Sequence, residues 1–298
     1  MRSIEQVRAA VRTAAPDLAR ADVRWAGQGE CCEAWWVGEE HVVRFARDPV
    51  VDAELEREMA VLPALAEAIE VAIPRPEFIG RDPDTGRVFV GHRAVHGELL
   101  SPRILARLSA RARGQLTAEL GRFLDQLQAF ARTSVGVELP EARYDAVLRD
   151  TEAIERAVFS RMPEADARAC RSMLDALELD PADARVLAHC DLYEGHILID
   201  PTSERLAGVI DFGDLAIGDP CYDLNTLIDD FGLRFTAEVV RHLPPALAAP
   251  RLARARIVCI WESLAWSAGQ LAAGAAAEVD ANLARLHTLI AAGTIEGP

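Results

Sequence analysis

Two stretches of the sequence concentrate the side chains that could do chemistry. They are HCDLYEGHILID at 189–200 and GVIDFGDLAIGDPCYDL at 208–224. Asp191 follows an apolar run, His196 comes five residues later, and Asp211 ends the next apolar run. A hairpin between the runs would bring His196 and Asp211 side by side. One carboxylate could then orient a hydroxyl while a carboxylate and an imidazole hold a metal, the parts that phosphoryl transfer requires.

The elements that must position these side chains begin with a small β-rich region. Apolar periodicity and turn signals predict a helix at 4–15, strands within 23–45, a helix at 52–68 and a strand at 87–95. Pro74 and Pro76 are expected to break the chain between the last two. We therefore predict an N-terminal lobe at 1–95.

Helical periodicity dominates the rest of the chain. Helices are predicted at 104–112, 115–131, 142–161 and 165–177, and again from about Tyr222 onward. Short apolar runs at 186–189, 197–199 and 208–210 interrupt this pattern as strands and carry the chemical residues. The prediction is an α+β fold with a larger, mostly helical C-terminal lobe at 96–298.

Charge and cysteine usage narrow the function classes. Lys+Arg is 32 against 47 Asp+Glu, a net charge of -15, so nucleic acid is not expected as a partner and a cationic small substrate suits the field better. Solubility alone is the alternative explanation of this charge. The six scattered cysteines form no C-x-x-C pair, which favours reduced thiols in the cytoplasm. No signal peptide or membrane span is expected.

The two chemical stretches resemble the catalytic and metal-binding motifs of the aminoglycoside phosphotransferase family, antibiotic kinases that share the protein-kinase fold. The resemblance rests on His189-Cys190-Asp191, His196, Ile210-Asp211-Phe212-Gly213 and the following Gly218-Asp219-Pro220-x-x-Asp223. It implies that Asp191 is the catalytic residue and that His196 and Asp211 bind Mg²⁺. His189 is expected to hold the loop, and Asp219 and Asp223 are expected to be structural.

The resemblance extends upstream in the expected order. It implies that nucleotide binding involves Gly27, Gly29, Arg44, Glu58, Arg93 and Val95. The two glycines would lie in the loop that covers the nucleotide, Arg44 would contact phosphate, Glu58 would pair with it, and 90–95 would form the hinge. A simple turn at Gly27-Gln28-Gly29 and a solvated Glu58 are the alternatives.

Two positions depart from the usual pattern of the fold. His196 replaces the common Asn, as it does in the similar 2″-aminoglycoside and macrolide kinases, and a neutral imidazole can ligate a metal or its bound water. Arg44 replaces the phosphate-binding Lys in a chain that contains no lysine at all. Arg keeps the charge but has a larger, planar head, so its phosphate role is a prediction to be tested.

Acids and aromatic residues later in the chain predict the acceptor class. The predicted substrate-binding residues are Asp191, Asp229, Asp230, Trp261, Glu262 and Trp266. Carboxylates between aromatic walls suit an amino sugar, whose ammonium groups pair with them. A solvated helix face with core tryptophans is the alternative.

The sequence thus predicts transfer of the γ-phosphate of ATP or GTP to a hydroxyl of an aminoglycoside by a cytoplasmic, monomeric enzyme. A macrolide 2′-phosphotransferase is the runner-up, because DLYEGHILID at 191–200 also resembles those kinases, whereas FGD at 212–214 favours the 2″-aminoglycoside group. A kinase of another antibiotic or amino sugar remains open. From other classes, a catalytically weak nucleotide-binding pseudokinase and a purely structural protein remain open too.

Overall fold

The computed structural model describes residues 1–130, 136–142, 151–179 and 185–292. The chain divides into two compact units. The first unit comprises Met1–Ser101, Ala129–Leu139 and Gly195–Leu215, and the second comprises Pro102–Gln128, Pro140–Glu194 and Ala216–Pro298. The predicted α+β class, with a β-rich N-terminal region and a helical C-terminal region, is confirmed.

The first unit is built on a five-stranded antiparallel sheet. Its elements are α1 (Ile4–Ala14), β1 (Val23–Gln28), β2 (Cys32–Val37), β3 (His41–Ala46), α2 (Pro49–Ala68), β4 (Arg75–Arg81) and β5 (Val88–Arg93). The strand order is β1-β2-β3-β5-β4. Trp35, Phe45 and Phe89 pack with Val7 and Val11 of α1 on one face of this sheet. The alternation along β3 leaves Arg44 on the opposite face.

The prolines at 74 and 76 do not prevent a strand, and this corrects the sequence prediction. β4 pairs with β5 antiparallel and contains Pro76, with a register shift between Pro76 and Phe78. β4 lies at the edge of the sheet. An edge strand has one side without ladder partners, so it tolerates a residue that cannot donate a backbone hydrogen bond.

A second, three-stranded sheet completes the first unit. It contains β6 (Glu98–Leu99), β8 (Ile197–Ile199) and β9 (Leu206–Val209), in the order β6-β8-β9. Asp200 caps the turn between β8 and β9, because its carboxylate accepts from the backbone N–H groups of Thr202 and Ser203. The hairpin predicted from the two chemical stretches is therefore present.

The second unit is mostly helical. Its elements are α3 (Pro102–Leu105), α4 (Ala110–Ala129), α5 (Thr151–Ala157), α6 (Glu164–Leu179), the β7 (Val186–Ala188) and β10 (Ala216–Gly218) pair, α7 (Tyr222–Val240), α8 (Pro245–Ala272) and α9 (Ala276–Ala291). Its core brings Ile154, Trp261, Leu264 and Leu286 together. Gly232 has φ 83 inside α7 and kinks that helix shortly after Asp229 and Asp230.

Two predicted helices end differently in the structure. The helix predicted at 104–112 is interrupted, because Ser109 begins a new helix: its hydroxyl accepts from the N–H of Ala112 at 3.1 Å, as an N-cap residue does. Of the helix predicted at 142–161, residues 143–150 lie outside the described part, and the remainder forms α5 and a 3₁₀ turn at Phe159–Arg161. No helix in the described part is long and apolar enough to cross a membrane.

Candidate active site

The first unit carries a buried ion-pair cluster centred on Arg44. Arg44 lies on β3 and its Nη1 donates to both carboxylate oxygens of Glu58 on α2, each at 2.9 Å. Its Nη2 donates to Oδ1 of Asp211 at 2.6 Å. Burial opposes the charge on Arg44, but the carboxylates of Glu58 and Asp211 outweigh it and raise the pKa of the guanidinium. Arg44 is therefore a permanently charged group held by two acids.

The α2 sequence explains why Glu58 reaches this cluster. Asp48 accepts from the N–H groups of Val50 and Val51 and caps the helix, with Pro49 at its first position. Leu55, Glu58 and Leu62 then fall on one buried stripe of the helix. Glu58 is only 4% exposed, so the solvated alternative considered for it does not describe this side chain.

His196 and Asp211 lie side by side at the open end of the β8–β9 hairpin. The N–H of Ile210 donates to the carbonyl oxygen of His196 at 2.9 Å, which extends the hairpin by one pair. The His196 Nε2 atom is 3.4 Å from Oδ2 of Asp211. Asp211 has φ 64, a left-handed conformation that Asp tolerates better than most residues and that turns its carboxylate toward the imidazole and Arg44.

His196 and Asp211, at this end of the first unit, are two side chains of the types that can ligate a divalent cation. Partial burial and the charge of Asp211 raise the pKa of Asp214, and burial and the charge of Asp214 raise that of Glu54. A Cβ at position 213 would lie 3.6 Å from Oδ1 of Asp211, so Gly213 leaves room beside that carboxylate. The described residues contain no group of three His, Cys, Asp or Glu side chains that could hold a metal alone. A cation held by His196 and Asp211 would thus need further oxygen ligands from its nucleotide or from water.

The two predicted glycines and the hinge also lie in the first unit. Gly27 is part of β1, where it pairs with Ala34, so only Gly29 lies in the loop that was predicted for both. A Cβ at either glycine would meet no heavy atom within 4 Å. The N–H of Gly29 donates to the carbonyl oxygen of Cys32 at 3.0 Å, and Arg47 donates to the carbonyl oxygen of Gly29 at 3.0 Å. The Arg93 side chain is exposed and donates to Glu77 at 2.8 Å, and Val95 is half-buried. In the described residues, no side-chain hydrogen bond joins Arg93 or Val95 to Arg44, Glu58 or Asp211.

The loop that carries Asp191 belongs to the second unit and is braced by Asp223. Asp223 is fully buried on α7, and its carboxylate accepts from the N–H groups of His189 at 3.1 Å and Cys190 at 2.8 Å. Burial raises the pKa of Asp223 to about 6, although both hydrogen bonds favour the carboxylate. Asp191 itself is half-buried, and its N–H donates to Nδ1 of His189. The structural roles predicted for His189 and Asp223 fit this arrangement.

The same loop is tied to α7 at two further points. Thr226 donates from its hydroxyl to the carbonyl oxygen of Leu192 at 2.6 Å. Asp230 accepts from the N–H of Glu194 at 2.6 Å, and burial raises the pKa of this carboxyl group. These contacts fix the Asp191 loop against the first half of α7, before the kink at Gly232.

A cavity of about 530 Å³ lies in the second unit, next to that loop. Its lining includes Tyr193, Asn225, Asp229, Asp230, Glu262, Trp266 and Arg285. Burial and the charge of Asp229 raise the pKa of Glu262 to about 7. The structure thus brings together four of the residues predicted for substrate binding.

Trp261 is placed apart from these residues. It is 1% exposed and its ring meets Phe159 edge-on in the helical core, whereas Trp266 is 46% exposed and lines the cavity. Trp261 thus takes the position of a core tryptophan, the alternative that the sequence left open. Asn225 and Arg285 were missed by sequence reasoning. Asn225 precedes Asp229 by one helical turn, a usable signal, but nothing local in the sequence points to Arg285.

Comparison with known proteins shows the family of the chain. The phosphotransferase enzyme family (APH) matches residues 29–258, and the chain belongs to that family. It is accordingly a phosphotransferase whose acceptor group is a hydroxyl.

Solved structures of antibiotic kinases share the fold. An aminoglycoside 2′-phosphotransferase-IIIa in complex with GDP is 27% identical, with a TM-score of 0.80 over 97% of this chain and 99% of that chain. An APH(2″) enzyme in complex with GDP and kanamycin is 27% identical, with a TM-score of 0.76 over 96% and 99%. A macrolide 2′-phosphotransferase type I is 20% identical, with a TM-score of 0.58 over 90% and 91%, and shows the common fold alone.

Proposed function

We propose that this enzyme transfers the γ-phosphate of ATP or GTP to a hydroxyl of an aminoglycoside. The observation that carries the proposal is the acidic cavity beside the Asp191 loop, with Asp230 contributing both to the cavity lining and to the anchoring of the loop. An acceptor bound there by its ammonium groups would be held next to the segment that carries the catalytic carboxylate. Kanamycin and GDP in a related structure support the choice of acceptor and nucleotide.

The nucleotide-binding role falls to the first unit. Arg44 is the phosphate ligand, and Glu58 is a positioning residue that holds its guanidinium through two hydrogen bonds. Gly27 and Gly29 carry no side chain, so a nucleotide can approach the backbone closely there, and 90–95, with Arg93 and Val95, form the hinge. By role, residues 1–95 are the nucleotide-binding lobe and 96–298 the catalytic and substrate-binding lobe, although 195–215 pack with the first unit.

His196 and Asp211 would hold Mg²⁺, which would supply charge neutralisation for the phosphate oxygens. The protein supplies the rest by position. Asp191 accepts a hydrogen bond from the acceptor hydroxyl and takes its proton as the oxygen bonds to the γ-phosphorus. The bond between that phosphorus and the β–γ bridging oxygen breaks, and ADP or GDP leaves. Asp223 keeps the backbone of that loop in place through the N–H groups of His189 and Cys190.

The cationic acceptor is held in the acidic cavity of the second unit. Asp229, Asp230 and Glu262 line this cavity, and Trp266 offers an exposed apolar wall. The net charge of -15 favours the approach of a polycation. We further propose that the enzyme is monomeric and that it is cytoplasmic. Six free cysteines that make no disulfide support the choice of compartment.

The decisive experiment is a transfer assay with purified protein, Mg²⁺ and either ATP or GTP. Kanamycin, gentamicin and a macrolide are offered as acceptors, and the phosphorylated product is detected by mass. We expect kanamycin or gentamicin to gain one phosphate group. Transfer to the macrolide alone, or hydrolysis without any acceptor modified, would contradict the aminoglycoside assignment.

Asp191→Ala tests the catalytic residue. Loss of the group that takes the hydroxyl proton should lower kcat by about 10³-fold or more. The Kd for nucleotide should stay within about twofold, because the proposed phosphate ligand lies elsewhere. Asp175→Ala, at an exposed position of α6, is the matched control and should keep parental turnover. Parental turnover in Asp191→Ala would rule out the assigned role.

A further inference from the structure

The acidic cavity of the second unit already contains a cation of its own. Arg285 extends from α9, and its Nη1 lies 2.6 Å from Oδ1 of Asp229. Its Nη2 donates to the hydroxyl of Ser263 on α8 at 2.8 Å and to Oδ1 of Asn282 at 3.1 Å. The guanidinium is thus fixed by several contacts at the position where a ligand's ammonium group would pair with Asp229.

Glu262, in the same cavity, has different partners. Its Oε2 accepts from Nδ2 of Asn225 at 2.6 Å, and it has no ion-pair partner among the described residues. Asn225 is 2% exposed, and its Oδ1 has no hydrogen-bond partner in the part of the chain described by the structure. A buried acceptor without a donor is costly, so Glu262 and Asn225 together lack a hydrogen-bond donor that a ligand could supply.

Two acids of the cavity therefore have unlike partners. Asp229 is neutralised by Arg285. Glu262 has only the neutral amide of Asn225, whose Oδ1 atom lacks a donor among the described residues. An ammonium group carries three donors and a positive charge, and therefore suits Glu262 and Asn225. Asp229 is closed to a second cation for as long as Arg285 stays in place.

We propose that Arg285 is a specificity-determining residue, which occupies the cation position at Asp229 and directs a single ammonium group of the acceptor to Glu262 and Asn225. The cavity then favours acceptors that place one ammonium group at Glu262 and Asn225. It binds more weakly those acceptors whose second ammonium group would have to lie at Asp229. This inference rests on the proposed function for the identity of the acceptor, but the charge selection itself is a binding property.

A binding experiment tests the proposal without relying on catalysis. The Kd values of kanamycin, spermidine and glucosamine are measured by calorimetry for the parent and for Arg285→Gln. Kanamycin and spermidine carry several ammonium groups, and glucosamine carries one. Because Arg285→Gln removes the cation that pairs with Asp229, the variant should bind both polycations about fivefold more tightly than the parent. Its Kd for glucosamine should differ from the parental value by less than about twofold.

Two further variants separate charge selection from a structural role. Arg285→Lys keeps the positive charge and should restore the parental Kd values. Arg161→Gln removes an arginine that pairs with Asp280, a residue of α9 that does not line the cavity. This variant should bind all three ligands as the parent does. Unchanged or weaker polycation binding in Arg285→Gln, or equal tightening of all three ligands, would overturn the proposal.

The outcome is independent of the transfer assay. If the parent phosphorylates kanamycin but Arg285→Gln shows no selective tightening, the inference fails and the proposed function stands. If no amino sugar is phosphorylated but the selective tightening occurs, the proposed acceptor is wrong and the charge selection by Arg285 stands.

Discussion

Glu58 in the first unit and Glu262 in the second are both glutamates with restricted access to solvent, yet their surroundings differ. Both oxygens of Glu58 accept from a guanidinium, and that guanidinium also binds Asp211. Glu262 has a neutral amide as its partner. Burial raises the pKa of both carboxyl groups, that of Glu262 to about 7, so the two differ in their partners rather than in the direction of the shift. One carboxylate is compensated by a charge within the protein, and the other is not.

The presence or absence of a charged partner indicates whether a carboxylate stabilises the fold or binds a ligand. A compensated acid acts as a part of the framework, because removing either partner leaves a buried charge without its counterion. An uncompensated acid keeps its capacity for a cationic ligand, because no charge of the protein occupies it. Three variants test this contrast.

Removing the compensated acid should have the largest effect on stability. Glu58→Gln deprives Arg44 of its main counterion, and we expect the free energy of unfolding to fall by about 3 kcal/mol. Urea denaturation measures this change. Glu56→Gln is the control on the same helix: Glu56 pairs with Arg81 at an exposed site, where the loss should stay below about 1 kcal/mol. Equal losses in both variants would mean that the Arg44 cluster is not a framework.

Removing the uncompensated acid should have an effect of opposite sign that depends on pH and reaches its full size only at high pH. The pKa of Glu262 rises from 4.5 to about 7 on folding, so the folded state holds the proton more tightly than the unfolded state. Stability contributed by this group is present below pH 4.5 and is lost as the pH rises to about 7. At pH 8, Glu262→Gln should therefore be more stable than the parent by up to about 3 kcal/mol, with little difference at pH 4.5.

Urea denaturation at pH 4.5 and pH 8 measures this difference. Glu164→Gln, at an exposed position of α6, controls for the loss of one negative charge. If the gap between Glu262→Gln and the parent does not widen with pH, the contrast between the two glutamates is wrong.

The parts of the site that were predicted from the sequence, one pair by hairpin spacing and the other by the family resemblance, are joined by short chain connections. The β8–β9 hairpin fixes His196 beside Asp211, and a strand followed by a helix fixes Glu58 beside Arg44. Motif order was enough because each pair depends on one turn or one helix register. The bracing role predicted for Asp223 likewise fits a buried acid that accepts two loop N–H groups.

The parts that spacing did not predict depend on how helices pack. Trp261 and Trp266 lie on one helix, and only the packing of α8 decides that the first is buried and the second lines the cavity. Arg285 reaches residue 229 across 56 positions of sequence. No local pattern encodes such a contact. The strand containing Pro76 was missed for a similar reason, since tolerance of proline depends on the strand's place at the sheet edge.

Gly213→Ala is expected to have the smallest effect, and it tests whether the compensated cluster also leaves space for a ligand. The added Cβ would lie 3.5 Å from Oε1 of Glu58 and 3.6 Å from Oδ1 of Asp211, which are ordinary contacts. The backbone at 213 is outside the left-handed region, so alanine fits without strain. Stability should rise by up to about 1 kcal/mol, because alanine restricts the unfolded chain.

Nucleotide binding should respond in the opposite direction. The methyl group would stand beside the carboxylate proposed to hold Mg²⁺, so the Kd for GDP or ADP with Mg²⁺ should increase by about fivefold while the fold is unharmed. Gly114→Ala, in α4 with no heavy atom near its added Cβ, should gain similar stability and keep the parental Kd. Identical nucleotide affinity in both variants would mean that the space beside Asp211 is not used by the ligand, and that Glu58, Arg44 and Asp211 serve the framework alone.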